Sequence, residues 1–264
     1  MKLGFIGAGN MGSAIIKGAI SSGVVKTENV TVTDRDMAKL DALKNEFGVN
    51  ISKENTDCLD CDVIFLCVKP NVLGNVIDDI KSHIKRDNVF VSIAAGQSIK
   101  KISEMFDKYD VKIVRVMPNT PALVGEGMSA VCTNSYVTAD EKGAVLQILN
   151  SFGKAEIVSE SVMDAVTAVS GSSPAYVYMF IEAMADAAVR GGMTRDLAYT
   201  FASQSVLGSA KMVLETGKHP GELKDMVCSP GGTTIDAVAV LEETGFRNSV
   251  MKAMDACIKK SKSM

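Results

Sequence analysis

The stretch GFIGAGNMG, residues 4–12, decides the fold of this chain. Its last six residues match G-x-G-x-x-G, follow a short apolar run with β character, and open a helical segment that reaches about residue 22. A second apolar run, VTVT (30–33), ends beside Asp34, which comes 22 residues after Gly12. A glycine-rich turn between a strand and a helix, with an acidic residue after the next strand, predicts a Rossmann-type dinucleotide-binding fold.

The spacing of the three glycines has a physical reason at each position. Gly7 permits a tight turn, Gly9 lets the backbone approach a pyrophosphate, and Gly12 lets the helix pack closely on the strand. The helix N-terminus adds unpaired N–H groups and the positive end of the helix dipole. Asp34 favours NAD by binding a ribose hydroxyl, whereas Arg35 can accept the 2′-phosphate of NADP or stack on adenine. The residues therefore leave the choice of coenzyme open.

The chain divides into an alternating half and a helical half. Strands are predicted at 2–6, 30–33, 63–68, 89–93, 112–117, 129–133 and 155–158. Helices are predicted up to 22 and at 37–47, 72–84, 99–106, 139–151, 161–169, 174–190, 195–215, 220–228, 233–244 and 246–260. This pattern predicts an α/β Rossmann-type domain with a parallel sheet over residues 1–158, followed by an all-helical domain over residues 159–264. The methionine-rich helices serve as core or as a dimer interface.

The amino-acid composition limits the classes of binding partner that the chain is expected to have. Lys and Arg number 28 against 31 Asp and Glu, so the net charge is −3 and gives no general attraction to nucleic acid or anionic membranes. The N-terminus does not resemble a signal peptide, so we expect a cytoplasmic protein with six reduced cysteines. Cys58 and Cys61 form C-x-x-C, which fits zinc or redox chemistry, or two small residues before a buried strand; packing is the interpretation we favour, with no metal.

A second glycine-rich stretch, SPGGTT (229–234), precedes the apolar helical run IDAVAVLEETG. A plain helix N-cap needs a single small polar residue. Here two glycines, two threonines and a serine converge on one helix N-terminus, a pattern that indicates a second anion-binding site.

Seven motifs together resemble those of the pyrroline-5-carboxylate reductase family, nearly from end to end. They are GFIGAGNMGSAI (4–15), FLCVKP (65–70), SIAAGQSI (92–99), RVMPNTPALVGEG (115–127), VSGSSPAYV (169–177), HPGELKD (219–225) and SPGGTTIDAVAVLE (229–242). The resemblance implies an NAD(P)H-dependent imine reductase that makes L-proline from 1-pyrroline-5-carboxylate in the last step of proline biosynthesis. It also implies a C-terminal dimerisation domain and a homo-oligomer, with dimers that assemble into decamers in several members.

The resemblance implies roles for individual residues. The coenzyme, NADPH slightly ahead of NADH, would contact Ile6, Gly7, Ala8, Gly9, Asn10, Met11, Gly12, Asp34, Arg35, Asn55, Val68, Lys69, Pro70, Ala94, Ala95 and Gly96. The substrate would be held by Ser229, Gly231, Gly232, Thr233 and Asn119. Thr234 would face the ring nitrogen as hydrogen-bond partner or weak proton donor and is the predicted catalytic residue.

Two other functions compete with this one. A β-hydroxyacid or 6-phosphogluconate-type dehydrogenase shares the Rossmann start and the helical tail, but it places a catalytic lysine on the helix that here reads AYVYMFIEAMADAAV (175–189), without lysine. A non-catalytic NAD(P)-binding scaffold has no use for SPGGTT. Both alternatives predict no reduction of an imine.

Overall fold

The computed structural model describes residues 1–107 and 110–263 of the chain. Contacts between residues group the chain into two compact units. The first runs from Met1 to Ser172 and includes the C-terminal segment from Cys257, and the second is Ser173–Ala256. The boundary predicted from the sequence, between residues 158 and 159, rests on where strand signals stop and stays a prediction.

The first unit contains an eight-stranded sheet. Its strands are β1 Leu3–Ile6, β2 Val30–Thr33, β3 Asn50–Ser52, β4 Val63–Leu66, β5 Val89–Ser92, β6 Lys112–Met117, β7 Gly127–Thr133 and β8 Gly153–Ile157. They lie in the order β3-β2-β1-β4-β5-β6-β7-β8. The six strands β1 to β6 are all parallel to one another. The strand order reverses beside β1, which is where open α/β sheets form a ligand crevice.

Helices cover both faces of this sheet. They are α1 Asn10–Ser21, α2 Met37–Phe47, α3 Pro70–Ile80, α4 Ile99–Met105 and α5 Ala139–Leu149. The strands are buried on both faces, which explains their continuous apolar sequences. One core contains Phe5 stacked on Phe65 at 4.9 Å between ring centroids, and the other contains Phe90 against Phe106 at 4.7 Å. The predicted α/β Rossmann-type architecture is therefore confirmed.

Three features differ from the sequence prediction. The strand β3 was missed because it has three residues, two of them polar, at the edge of the sheet. The strand β7 runs antiparallel to β6, and direction cannot be read from an apolar run. The helix predicted at 161–169 is a 3-10 turn at Glu160–Val162, a short α6 at Met163–Val166 and a π-helix at Thr167–Gly171.

The second unit is helical. Its elements are α7 Ser173–Arg190, α8 Arg195–Thr216, α9 Pro220–Val227, α10 Thr233–Glu243 and the part of α11 (Phe246–Lys262) before Cys257. Phe180 and Phe246 pack at 6.0 Å between ring centroids, although both remain partly exposed. Across the described ranges, no helix is long and apolar enough to cross a membrane.

Candidate active site

The glycine-rich loop joins β1 to α1 under tight steric limits. The backbone of Gly7 has φ +109°, and a Cβ added there would lie 2.5 Å from the carbonyl oxygen of Cys67. A Cβ on Gly12 would lie 2.6 Å from the carbonyl oxygen of Gly7. By contrast, a Cβ on Gly9 would meet nothing within 4 Å, because this residue borders open space. The fold therefore leaves no room for a side chain at Gly7 or Gly12, and the contact of Gly9 with a pyrophosphate stays a prediction.

The N-terminus of α1 has the properties of an anion site. Gly9 is its N-cap and has no side chain with which to cap the helix. The first turn reads Asn10-Met11-Gly12 and contains no acidic residue. The backbone N–H groups of this turn, together with the helix dipole, are therefore available to a pyrophosphate approaching over Gly9.

Asp34 connects the end of β2 to the glycine-rich loop. The N–H of Ala8 donates to Asp34 Oδ2 at 2.7 Å, and the N–H of Asp36 donates to Asp34 Oδ1 at 2.9 Å. Nearby, the hydroxyl of the buried Thr33 donates to Asn55 Oδ1 at 3.0 Å. The sheet thus brings Asp34 and Asn55, predicted from separate segments, to the same end of β2.

Three further loops leave the same edge of the sheet. Val68-Lys69-Pro70 follows β4, with Lys69 as N-cap of α3 and Pro70 as its first residue. Ala94-Ala95-Gly96 follows β5, and Gly96 adopts φ +71°. Because parallel strands end at one edge, these predicted contacts lie along the edge that also carries the glycine-rich loop.

Glu160 anchors the segment after β5 and was missed in the sequence analysis. Its Oε1 accepts from the N–H of Ile99 at 2.8 Å and from Arg115 at 3.0 Å. The carboxylate thereby sits at the N-terminus of α4, directly after the loop that contains Ala94 and Gly96. A partner 61 residues away leaves no local signal in the sequence.

Asn119 is held inside the first unit by both ends of its side-chain amide. Its Oδ1 accepts from the N–H of Met128 at 2.8 Å, and its Nδ2 donates to the carbonyl oxygen of Ser170 at 3.2 Å. Ser170 lies in the π-helix Thr167–Gly171. Single-turn π-helices are frequent at functional sites. Asn119 therefore links the loop after β6 to this π-helix, and its direct contact with substrate stays a prediction.

SPGGTT lies in the second unit, between α9 and α10. Gly231 adopts φ +65°, and the N–H of Gly232 donates to the carbonyl oxygen of Ser229 at 3.0 Å. A Cβ on Gly232 would lie 2.4 Å from Ser229 Oγ, so a larger residue here would require the Ser229 side chain to rotate. Gly232 is also the N-cap of α10. The N–H groups of Thr233 and Thr234 thus begin the helix without a side-chain cap, as an anion site requires.

The cysteines of the C-x-x-C pair are buried. Burial raises the pKa of Cys58 to about 12, and burial likewise raises the pKa of Cys61. Thiols held neutral in this way are poor nucleophiles and poor metal ligands at neutral pH. Within residues 1–107 and 110–263, no group of three or more His, Cys, Asp and Glu side chains is arranged to hold a metal ion.

The first unit fits a dinucleotide on its own geometry. Gly9 leaves space for a pyrophosphate, α1 supplies N–H groups, and Asp34 presents a carboxylate at the end of β2, beside the glycine-rich loop. The fold and this site define the class of Rossmann-type dinucleotide-binding proteins.

Comparisons with known proteins identify the family. A family model described as pyrroline-5-carboxylate reductase dimerisation matches residues 160–264, and one described as NADP oxidoreductase, coenzyme F420-dependent, matches residues 2–96. The chain is 52% identical over 264 residues to the pyrroline-5-carboxylate reductase of Escherichia coli, with 100% of this chain and 98% of that protein covered. It is 44% identical to the reductase of Methanosarcina acetivorans, with 100% and 97% covered.

A solved structure agrees with these relatives. The Plasmodium falciparum pyrroline carboxylate reductase, determined with NADP bound, gives a TM-score of 0.90 at 38% identity, with 100% of this chain and 97% of that chain covered. The chain therefore belongs to the pyrroline-5-carboxylate reductase family of NAD(P)H-dependent oxidoreductases.

Proposed function

We propose that this protein reduces 1-pyrroline-5-carboxylate to L-proline with NAD(P)H, as the last step of proline biosynthesis, in the cytoplasm. The observation that carries this proposal is the presence of two separate anion cradles on a chain that matches the family along its whole length. One cradle suits a pyrophosphate and the other suits a small carboxylate.

SPGGTT holds the substrate. The five-membered ring bears a carboxylate and an imine nitrogen, and the carboxylate accepts hydrogen bonds from the first N–H groups of α10. The turn of Gly231 and Gly232 brings this backbone into reach, and the hydroxyls of Ser229 and Thr233 add contacts. The hydroxyl of Thr234, in the first turn of α10, bonds the ring nitrogen.

The coenzyme is held by the first unit. The loop from Ile6 to Gly12 carries the pyrophosphate, and Asp34, Arg35 and Asn55 face the adenosine ribose. The segments Val68–Pro70 and Ala94–Gly96 flank the nicotinamide half. When bound, the reduced nicotinamide supplies a hydride to the imine carbon.

Little chemical activation is required of the side chains. A protonated imine is already electrophilic, so the protein contributes chiefly by fixing the ring and excluding wrong orientations. Thr234 stabilises the nitrogen as it becomes an amine. Lys224 and Asp225 pair with each other at 2.6 Å on the surface of α9 and take no part in the chemistry.

The two competing functions fit the chain less well. The helix α7 offers no lysine for the alcohol oxidation of a β-hydroxyacid dehydrogenase. A silent scaffold gives no reason for a left-handed glycine turn at Gly231 directly before an uncapped helix N-terminus.

The protein works as a homo-oligomer whose basic unit is a dimer formed through the helical domain, residues 159–264, with a decamer as the further assembly. The dimerisation model that matches residues 160–264 supports the homo-oligomer. The exposed apolar side chains of α7 and α8 support it as well, among them Tyr178, Met179, Phe201, Leu207 and Leu214. Monomers rarely leave so much apolar surface in contact with water.

The test is a coupled measurement of coenzyme and product. The purified protein should consume NADH or NADPH when 1-pyrroline-5-carboxylate is added and should release proline in equal amount. A β-hydroxyacid substrate with the oxidised coenzyme serves as the control for the rival dehydrogenase. Absence of consumption with either coenzyme between pH 6 and 8 would reject the reductase function.

A further inference from the structure

The carboxylate of Asp34 is fixed by the backbone at both of its oxygens. Oδ2 accepts from the N–H of Ala8 in the glycine-rich loop, and Oδ1 accepts from the N–H of Asp36. Both bonds are shorter than 3.0 Å, as is usual for a charged acceptor. Each oxygen retains a lone pair, so the fixed carboxylate can still accept a hydrogen bond from a ligand hydroxyl.

Charges of both signs lie near Asp34, and the exposed Arg35 follows it directly in the chain. Asp36 caps α2 with its own carboxylate, and Lys39 pairs with that carboxylate at 3.6 Å. On the other side, Asn55 accepts from Thr33 and donates its amide to Asp79 Oδ2 at 3.3 Å. The amide of Asn55 is thereby turned toward another carboxylate.

We propose that this protein selects NADH over NADPH and that the fixed carboxylate of Asp34 makes the selection. The inference rests on the proposed function for the assignment of the site to a nicotinamide coenzyme. The ribose 2′-hydroxyl of NADH donates a hydrogen bond to the carboxylate. The 2′-phosphate of NADPH carries a charge of about −2 at neutral pH. It has no hydroxyl to donate to the carboxylate, and its negative charge repels the carboxylate.

The carboxylate cannot turn away from a 2′-phosphate without a penalty. Rotation about χ1 of Asp34 breaks both backbone hydrogen bonds, and it leaves the N–H of Ala8 without its acceptor inside the loop that holds the pyrophosphate. Arg35, beside it in the sequence, is exposed and gives the 2′-phosphate some compensation. The selection is therefore a bias set by Asp34 and moderated by Arg35.

Calorimetric titration of the protein with NADH and with NADPH, without substrate, tests the inference independently of catalysis. Wild-type protein should bind NADH more tightly, by roughly tenfold, the size expected for losing one charge-assisted hydrogen bond. Asp34→Asn should shift the ratio of the two dissociation constants toward NADPH by roughly tenfold or more. A general loss of loop structure would weaken the binding of both coenzymes equally and leave the ratio of their dissociation constants unchanged.

The matched control is Asp36→Asn, which removes the same charge two residues away and keeps an N-cap for α2. The ratio of the NADH and NADPH dissociation constants of this variant should stay within about twofold of wild type, since the charge of Asp36 is exposed and screened. Tighter binding of NADPH by the wild-type protein would overturn the inference, as would equal shifts from the two variants. A wild-type protein that favours NADH but does not reduce the imine would keep this inference and reject the proposed function, whereas an active reductase that favours NADPH would do the reverse.

Discussion

Gly9, the N-cap of α1, and Gly12, in its first turn, lie three residues apart, yet their surroundings differ. A side chain at Gly12 would strike the backbone of Gly7, and one at Gly9 would meet empty space. The requirement at Gly12 therefore comes from the fold, and the requirement at Gly9 comes from whatever fills the space above the loop. In SPGGTT both glycines are constrained by the chain itself, Gly231 by its positive φ and Gly232 by the nearby Ser229 side chain.

This difference predicts opposite effects of two alanine substitutions. Gly12→Ala should lower the free energy of unfolding by about 1–3 kcal/mol, because the helix must move away from the loop. Gly9→Ala should leave the melting temperature close to wild type and weaken coenzyme binding. Thermal melts and titrations of both variants measure the two effects. A Gly9→Ala protein with unchanged coenzyme affinity would contradict the assignment of the loop.

Thr234 gives a prediction about chemistry. Valine is nearly isosteric, so Thr234→Val removes the hydroxyl with little change of shape. The loss of a hydrogen bond to the ring nitrogen should lower kcat by roughly 2- to 150-fold, which corresponds to about 0.5–3 kcal/mol. Coenzyme affinity should remain unchanged, because the hydroxyl of Thr234 is proposed to bond the imine and not the coenzyme.

Ser229→Ala is the companion variant. It should chiefly raise the KM for the imine, since a carboxylate contact acts in the ground state and the transition state alike. Steady-state kinetics of both folded variants separate the two roles. A Thr234→Val enzyme with wild-type kcat would remove Thr234 from the mechanism and leave SPGGTT as a carboxylate cradle.

At the scale of elements, the β6–β7 pair is tied at each end by an asparagine. Asn119 joins Met128 to the π-helix at the ligand edge, and Asn134 joins Ile113 and Val111 at the opposite edge with contacts of 3.3 and 2.7 Å. Both asparagine side chains bond backbone groups of this strand pair, so the Asn134 variant serves as a matched control for the Asn119 variant.

Asn119→Ala and Asn134→Ala should each cost about 1–3 kcal/mol in the free energy of unfolding, because each leaves backbone groups without partners. Only Asn119→Ala should also change KM or kcat, since it releases the π-helix at the ligand edge. Chemical denaturation and steady-state kinetics of the two variants provide the comparison. Equal kinetic effects would assign Asn119 a purely structural role.

Glu141 predicts how stability depends on pH. Burial by itself raises the pKa of this carboxyl, but hydrogen bonds from Lys112, at 2.5 Å, and from Thr138 outweigh burial and hold the pKa below its usual range. A lowered folded pKa means that the stabilisation is complete above the unfolded value of about 4.3 and is lost as pH falls through the folded value.

Stability should therefore fall more steeply below about pH 4.5 in wild type than in Glu141→Gln. The variant should lose roughly 0.5–1.5 kcal/mol at neutral pH, measured by urea denaturation. Glu104→Gln is the control, since the Lys100–Glu104 pair is exposed and 3.8 Å apart. A steep acid loss retained in Glu141→Gln would assign the pH dependence to other carboxylates.

The elements also show which structural features can be predicted from the sequence. The bounds of α2 and β2 follow from the sequence because capping residues, glycine and apolar runs mark them locally. The link from Glu160 to Ile99 and the π-helix beside Asn119 depend on tertiary contacts and have no local signal. Likewise, sequence predicted Asp34 as a ribose contact, but its two backbone hydrogen bonds emerge only when β1 and β2 pair.

At the scale of the whole molecule, the helical unit predicts self-association. Phe201 on α8 is 62% exposed, which is unusual for a large aromatic side chain on a monomer. Light scattering should report a dimer or a larger homo-oligomer at micromolar concentration. Phe201→Glu should shift the protein toward monomer, whereas Ser203→Glu, which places the same charge elsewhere on α8, should shift it less. A stable wild-type monomer would contradict the proposed assembly.

The proposed reaction transfers a hydride from NAD(P)H to the imine carbon of 1-pyrroline-5-carboxylate. Isotope transfer tests it most directly, with coenzyme that carries deuterium on both positions of nicotinamide C4. Direct hydride transfer should place one deuterium at C5 of every proline formed, detected by mass spectrometry and NMR, with one coenzyme oxidised per proline. Coenzyme oxidation without deuterated proline, or proline that carries no label, would contradict it.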